Sequence, residues 1–245
     1  MHCVAVVRQS GKHMSTISGI LFDFDGTLAE LHIDFAKMRQ QVAELAALFL
    51  DSPPTPSKSP VLEWIDELSV QMEGLLSTED ILEFRSRCRM RLVGLEMKAA
   101  GKGKLFPFTR GVLLGLKERG VRTAVVTRNC TAAVQKVYPQ IGQEVDCLLA
   151  RDDVKRVKPD PEHLLQAVFT LDLKPAQCCM VGDHWLDVVA AQNAGMRSAA
   201  VHTGQVSAAE LAAYRLDYSV SEVYSLVQEF SRNGLLGAVP LVIGC

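Results

Sequence analysis

From Gly19 onward two patterns alternate along the chain, and this alternation limits the folds open to it. Short apolar runs recur at Ile20 to Phe24, Val121 to Thr127, Glu144 to Ala150, Gln177 to Val181 and Arg197 to His202. Helical patterns fall between them, at Gly111 to Glu118, Thr131 to Tyr138, Pro161 to Leu171 and Trp185 to Ala194. Runs that are apolar throughout suit strands buried on both faces, and strands alternating with helices build a parallel sheet with helices on both sides. The expected fold is therefore α/β, a doubly wound parallel sheet. Two helix ends carry their own signals. Asp160 before Pro161 is a capping side chain followed by proline at the first helical position, and Gly195 directly after Ala194 is a C-terminal stop.

The stretch from about Leu31 to Leu105 breaks the alternation. It offers no convincing strand. Phe35, Met38, Val42, Leu45 and Phe49 recur at helical spacing, as do Leu62, Ile65 and Leu68 after the proline-rich break DSPPTPSKSP. A third helix carries Ile81, Arg85, Cys88, Leu92 and Leu95 along one face, and Gly101 to Lys104 reads as a flexible return. This gives a helical domain, 31–105, inserted into a core made of 19–30 and 106–232. An N-terminal extension, 1–18, and an apolar C-terminal tail, 233–245, flank the core. Met14 reads as a natural start with an upstream extension, or else the first residues form a loosely attached strand. The tail LLGAVPLVIGC is open to packing on the core, pairing with another subunit, or disorder.

Composition narrows the function classes. The 245 residues carry a formal net charge of −2, against the clearly basic balance of a nucleic-acid surface. No apolar run approaches the roughly 20 residues of a spanning helix. The seven cysteines form no CxxC pair and no regular framework, so they read as reduced thiols in a cytoplasmic protein.

In an open parallel sheet, ligands bind at the carboxyl ends of the strands. Four such places hold chemistry. The first apolar run ends in Asp23-Phe24-Asp25-Gly26-Thr27. Carboxylates at i and i+2 on an extended strand end point to the same side and repel unless a cation or proton lies between them. Hard oxygen ligands suit magnesium, and one Asp can attack phosphorus while its neighbour handles protons. Thr127, followed by Arg128 and Asn129, presents a hydroxyl and free amides ahead of a helix, where phosphate oxygens can be held. Lys158 lies in the loop before the Asp160–Pro161 helix start and supplies a fixed cation. Gly182-Asp183 follows the fourth run, with Asp187 one helical turn further on.

DFDGT, a later strand ending in Thr, a Lys before a helix, and GDxxxD, in that order, resemble the haloacid dehalogenase superfamily of phosphohydrolases. Within it the chain is most similar to the phosphoglycolate phosphatase-like branch, in which a helical cap interrupts a Rossmann-like core between the first two motifs. The likeness runs from about Gly19 to Phe230 and includes FPFTRGVLLGLKERG before the second strand. The resemblance implies a magnesium-dependent phosphatase acting on a small phosphorylated metabolite, as a monomer or homodimer. It makes Asp23 the nucleophile and a magnesium ligand, and Asp25 the general acid and base, whose backbone carbonyl also binds the metal. Thr127 and Lys158 hold the transferring phosphoryl group, Asp183 is a metal ligand, and Asp187 supports the metal directly or through water. Arg128 and Asn129 are further substrate contacts. Dehalogenases of the superfamily lack an acid at the position of Asp25, so its presence favours phosphatase chemistry. A phosphomutase acting on a sugar phosphate is the nearest rival, and a non-catalytic binding protein on the same fold is another. His184 and Trp185 read as a loop histidine and a packing residue. Arg85, Arg87, Arg89 and Arg91, at steps of two, scatter around a solvated helix rather than lining one face.

Overall fold

The computed structural model describes residues 16–237 apart from 53 and 56. The proposed start at Met14 and most of the apolar tail lie outside the described residues. Six strands form one parallel sheet: β1 (Gly19–Phe22), β4 (Arg122–Val126), β5 (Cys147–Leu149), β6 (Cys178–Gly182), β7 (Arg197–Val201) and β8 (Tyr218–Val220), in the spatial order β5-β4-β1-β6-β7-β8. Every residue of β1 and β6 is buried, as the unbroken apolar runs require of central strands covered on both faces.

From β1 the chain steps outward through β4 to β5, then crosses back to β6 and steps outward the other way. The order therefore reverses between β1 and β6. Helices α7 (Glu162–Thr170) and α8 (Trp185–Asn193) close over one face, where Leu164, Ala167, Ala190 and Ala191 join Leu21, Ala124, Val126, Leu149 and Met180 in one apolar cluster. Helices α4 (Thr109–Glu118) and α10 (Val223–Arg232) pack on each other and cover the opposite face. That division is what right-handed crossovers on either side of a reversal produce.

Several local expectations are corrected. Glu144 does not begin a strand: it ends the short helix α6 (Ile141–Glu144), where its carboxylate takes the Arg110 guanidinium and the Tyr138 hydroxyl. A buried carboxylate with two such donors is satisfied where it stands, and the strand starts only at Cys147. Strand β8 went unforeseen because Tyr218-Ser219-Val220 is too short and too polar at its centre to stand out. Lys104 is not a flexible return, since β3 (Lys104–Leu105) pairs antiparallel with β2 (Ala29–Glu30). Around these two short strands the chain divides into compact units, one reaching Leu31 and resuming at Gly103, the other His32–Lys102.

The second unit is all-helical: α1 (Phe35–Ala46), α2 (Val61–Met72) and α3 (Thr78–Ala100). Met38, Val42, Leu45, Trp64, Ile65, Leu68 and Met72 are buried among the three helices. In α3 the buried residues are Phe84, Cys88, Leu92, Glu96 and Ala100, a strict four-residue step, so Ile81, Arg85 and Leu95 flank the buried face instead of lying on it. Phe84 takes the inner position, edge-on to Phe49 at 5.8 Å between ring centroids. A Ser77–Asp80 capping box starts this helix. At the other end of the chain, the first residues of the tail pack on the core: Ile17 donates to the Leu235 carbonyl at 2.6 Å, and Gly237 donates back to Ile17 at 2.9 Å.

Candidate active site

Three neighbouring central strands end side by side, and each delivers one candidate site residue: Asp23 after β1, Thr127 after β4, Asp183 after β6. The ladder of hydrogen bonds runs one residue past β1 and past β4. Asp23 N–H donates to the Val181 carbonyl at 2.9 Å and Thr127 N–H to the Leu149 carbonyl at 3.0 Å. The backbone is thus fixed up to the residue whose side chain leaves the sheet. Asp23 and Asp183 stand on either side of the β1/β6 reversal, the crevice where open α/β sheets bind ligands.

Past Asp23 the chain turns sharply, with the Phe24 carbonyl accepting from both Leu28 and Ala29 at 2.9 Å. Gly26, at φ +78°, permits that turn, and a Cβ there would lie 2.4 Å from Asp183 Oδ2. On another side Gly204, in the loop after β7, approaches so closely that its Cβ would lie 1.7 Å from the same oxygen. Asp183 is therefore walled by backbone, and Thr27 Oγ1 donates to its Oδ1 at 3.4 Å. Asp25 turns its Oδ1 to the Leu31 amide at 2.9 Å.

Lys158 is only 1% exposed. Its Nζ lies 2.7 Å from Asp187 Oδ1 and 2.9 Å from Asp23 Oδ1. Burial alone would lower the ammonium pKa, but the Asp187 and Asp23 carboxylates outweigh it and hold it above the ordinary lysine value. Asp187 sits in the first turn of α8, and its Oδ2 accepts from the His184 amide at 3.1 Å. Among the acids, burial raises Asp25 to about 7, against the Leu31 hydrogen bond and with some help from Asp23. Burial, then repulsion from Asp23 and Asp187, pushes Asp183 well above the usual carboxylate range. Asp187 rises to about 6, burial prevailing over the pull of Lys158.

Asp23, Asp183 and Asp187 each offer a carboxylate oxygen, and the three lie within 4.8 Å of one another. All the donors are hard oxygens, which fits a divalent cation such as magnesium and not a soft one. The raised Asp183 pKa has the same origin: negative charge is gathered out of water with one ammonium to offset it. The Asp25 carboxylate is not part of this group. Both Asp187 oxygens already accept hydrogen bonds, which leaves Asp23 and Asp183 as the freer donors.

The other expected residues are placed as follows. Thr127 is buried, and its Oγ1 accepts from the Asn129 amide at 3.2 Å, which closes the turn. The Arg128 guanidinium donates to the Lys158 carbonyl, and Arg151 Nη1 donates to the Arg128 carbonyl at 2.9 Å. Asn129 is 8% exposed, and its Nδ2 is buried with no hydrogen-bond partner. His184 caps α8, its Nδ1 accepting from Leu186 at 3.2 Å, and burial lowers it to about 4, so the ring is neutral. Trp185 packs between the rings of His184 and Tyr214. In the helical unit Arg85 pairs with Asp66 at 2.6 Å, while Arg87 pairs with Glu83 and lies over the Phe49 ring.

Two contributors were not singled out from sequence. Gly204 acts on Asp183 across 21 residues, a separation at which sequence spacing carries no signal. His163, fully buried in the first turns of α7, binds the Lys158 loop, and its only sequence trace is a polar residue at an inward helical position.

A family model described as haloacid dehalogenase-like hydrolase matches residues 17–195, from the edge of β1 past the end of α8. A pyrophosphatase PpaX from Bacillus mycoides is 37% identical over 122 residues, 49% of this chain and 57% of that protein. Its counterpart from Bacillus cereus is 35% identical over 114 residues, 46% of this chain and 53% of that protein. The chain thus spans little more than half the length of the curated relatives it matches. A predicted phosphatase from Clostridium acetobutylicum shares the fold with TM-score 0.61 at 21% identity, covering 89% of this chain and all of that one (100%). A predicted phosphoglycolate phosphatase from Haemophilus somnus does so with TM-score 0.58 at 20% identity, covering 88% and 99%. With its acids at the ends of β1 and β6 and the family match running through both, the chain belongs to the haloacid dehalogenase-like hydrolases.

Proposed function

We propose that the protein is a magnesium-dependent phosphatase that hydrolyses a small-molecule phosphate monoester, phosphoglycolate-like in size, through an aspartyl-phosphate on Asp23. The observation that carries the proposal is Asp25. Its carboxyl titrates near 7, two residues from a carboxylate ion-paired to a buried lysine. A group poised at neutrality can give a proton in one step and take one in the next.

In the first step Asp23 attacks phosphorus in line, forming an acyl-phosphate bond as the ester P–O bond breaks, and Asp25 protonates the leaving oxygen. In the second, Asp25 takes a proton from water, which attacks phosphorus and returns Asp23 as a carboxylate with inorganic phosphate released. Lys158, held beside Asp23, offsets charge on both the nucleophile and the equatorial oxygens, and the Thr127 hydroxyl and neighbouring amides orient those oxygens. The unpartnered Asn129 Nδ2 is a donor free for the substrate, and Arg128 acts by holding the Lys158 carbonyl. Magnesium would be held by Asp23 and Asp183 with Asp187 in support, and by the Asp25 carbonyl if the resemblance holds there, and would supply charge neutralisation for the phosphoryl group. The helical unit His32–Lys102 corresponds to the cap of this branch. The free, buried thiols of Cys88, Cys147, Cys178 and Cys179 suit a reducing, cytoplasmic setting. Among the described residues no helix is long and apolar enough to cross a membrane.

The relatives named as pyrophosphatases place pyrophosphate beside phosphoglycolate, sugar phosphates and nucleotides in the panel to be assayed. The test is phosphate release with magnesium or chelator, for wild type and Asp23→Asn. Magnesium-dependent release lost in the variant supports the proposal. Conversion of a sugar phosphate to an isomer with no phosphate released would replace it with a mutase, and equal release by both proteins would remove Asp23 as nucleophile.

A further inference from the structure

Lys158 has to hold its ammonium 2.7 Å from one carboxylate and 2.9 Å from another, yet it sits on a loop. The bonds at its own peptide group explain how. Its carbonyl accepts from the Arg128 guanidinium, and its N–H donates to His163 Nδ1 at 3.3 Å. The other ring nitrogen, His163 Nε2, lies 3.2 Å from the Leu149 carbonyl. A backbone N–H can only donate and a carbonyl can only accept. Nδ1 must therefore carry a lone pair and Nε2 a proton, which fixes a neutral ring in one tautomer. The side chain is fully buried, and burial holds it neutral far below physiological pH, at about 3.

The Leu149 carbonyl has a second donor, the Thr127 amide at 3.0 Å. One carbonyl at the end of β5 thus receives the residue that carries the Thr127 hydroxyl and, through one imidazole, the residue that carries the Lys158 ammonium. We propose that His163 is a positioning residue that registers Lys158 against Thr127 through this shared carbonyl, so that the two groups meet the same phosphoryl oxygens. The proposal rests on the assignment of Lys158 and Thr127 to the transferring group. Both ring nitrogens are taken up by backbone groups, the Lys158 amide and the Leu149 carbonyl, so the ring acts through the loop it holds.

Removing both hydrogen bonds while keeping bulk, as in His163→Phe, frees the loop at the Lys158 amide. Misplacement of a positioned group by about 1 Å costs up to about 100-fold in rate. The expected result is a kcat, per folded molecule, lowered about 10- to 100-fold with KM moved less than about threefold, because Lys158 acts mainly on the transition state. His163→Gln keeps a donor and an acceptor and restores kcat to within about threefold of wild type. A merely structural histidine would lower Tm without this kcat loss, and wild-type kcat in folded His163→Phe overturns the proposal. Should the Phe variant fail to fold, His163→Asn, which reaches only one partner, is read in its place, and full activity there overturns the proposal equally. The tautomer is read without any turnover. In protein labelled with nitrogen-15 at histidine, His163 keeps Nε2 protonated and Nδ1 bare from pH 5 to 8, and a proton on Nδ1 in that range refutes the assignment even if no ester proves to be a substrate.

Discussion

Replacing Lys158 by methionine keeps the length of the side chain and removes its charge, leaving buried Asp187 and half-buried Asp23 with no counter-ion. Breaking a buried pair from one side costs about 3–5 kcal/mol. At about 2–4 °C per kcal/mol for a chain of this size, the metal-free variant should melt roughly 10 °C or more below wild type at pH 8. The cost depends on pH in a way that reveals its origin. Asp187 can escape by taking a proton, which costs about 1.4 kcal/mol per pH unit above the unfolded pKa of about 3.9. At pH 5 Asp187, whose carboxyl titrates at about 6 in the wild type, is already largely protonated, so removing the ammonium strands one charge fewer there. The difference between the two proteins should then be clearly smaller at pH 5 than at pH 8. Thermal unfolding of both proteins in chelator at the two pH values reads this directly. An equal loss at pH 5 and pH 8, or none at pH 8, would show that the ammonium is not what keeps Asp187 charged.

Two further outcomes follow from the same cluster. In metal-free wild type, Asp25 at about 7, Asp187 at about 6 and the raised Asp183 make the folded chain hold more protons than the unfolded one. Their stabilising contribution is complete below about pH 4 and is lost as pH rises through 6 and 7, so Tm in chelator should fall between pH 5 and pH 8 and magnesium should restore it at pH 8; a flat or rising Tm in chelator contradicts the assignment. Gly204→Ala puts a Cβ where Asp183 Oδ2 now lies, 1.7 Å away, so the carboxylate must move; magnesium affinity by calorimetry should drop at least about tenfold, and an unchanged affinity would mean that Asp183 is not a ligand.

The central sheet and the strand-end acids were legible because they rest on local pattern. A short apolar run followed by Asp, Gly-Asp or Thr is a buried strand whose next side chain leaves the sheet, and Asp23, Asp183 and Thr127 all stand there. The helical insert was legible as helices but not in every face. In α3, Arg85 and Leu95 fit the apolar stripe by spacing, while the packing chose Phe84 and Glu96, one residue away, because three helices must share one core. Glu144 was misread because its partners, Arg110 and Tyr138, are fixed by tertiary structure. The same limit hid His163 and Gly204. Their roles depend on a carbonyl at the end of another strand and on a carboxylate in another loop, and neither contact leaves a spacing in the sequence.

The central claim is a covalent phosphate on Asp23. An aryl phosphate, whose leaving group needs no proton, lets the first step proceed in an Asp25→Asn variant, while the second step, which needs Asp25 as base, stalls. Acid quench followed by peptide mass spectrometry should find one phosphoryl group on the peptide containing Asp23, absent when Asp23→Asn is added. No phosphorylated peptide, or a phosphoryl group on any other residue, would contradict the mechanism.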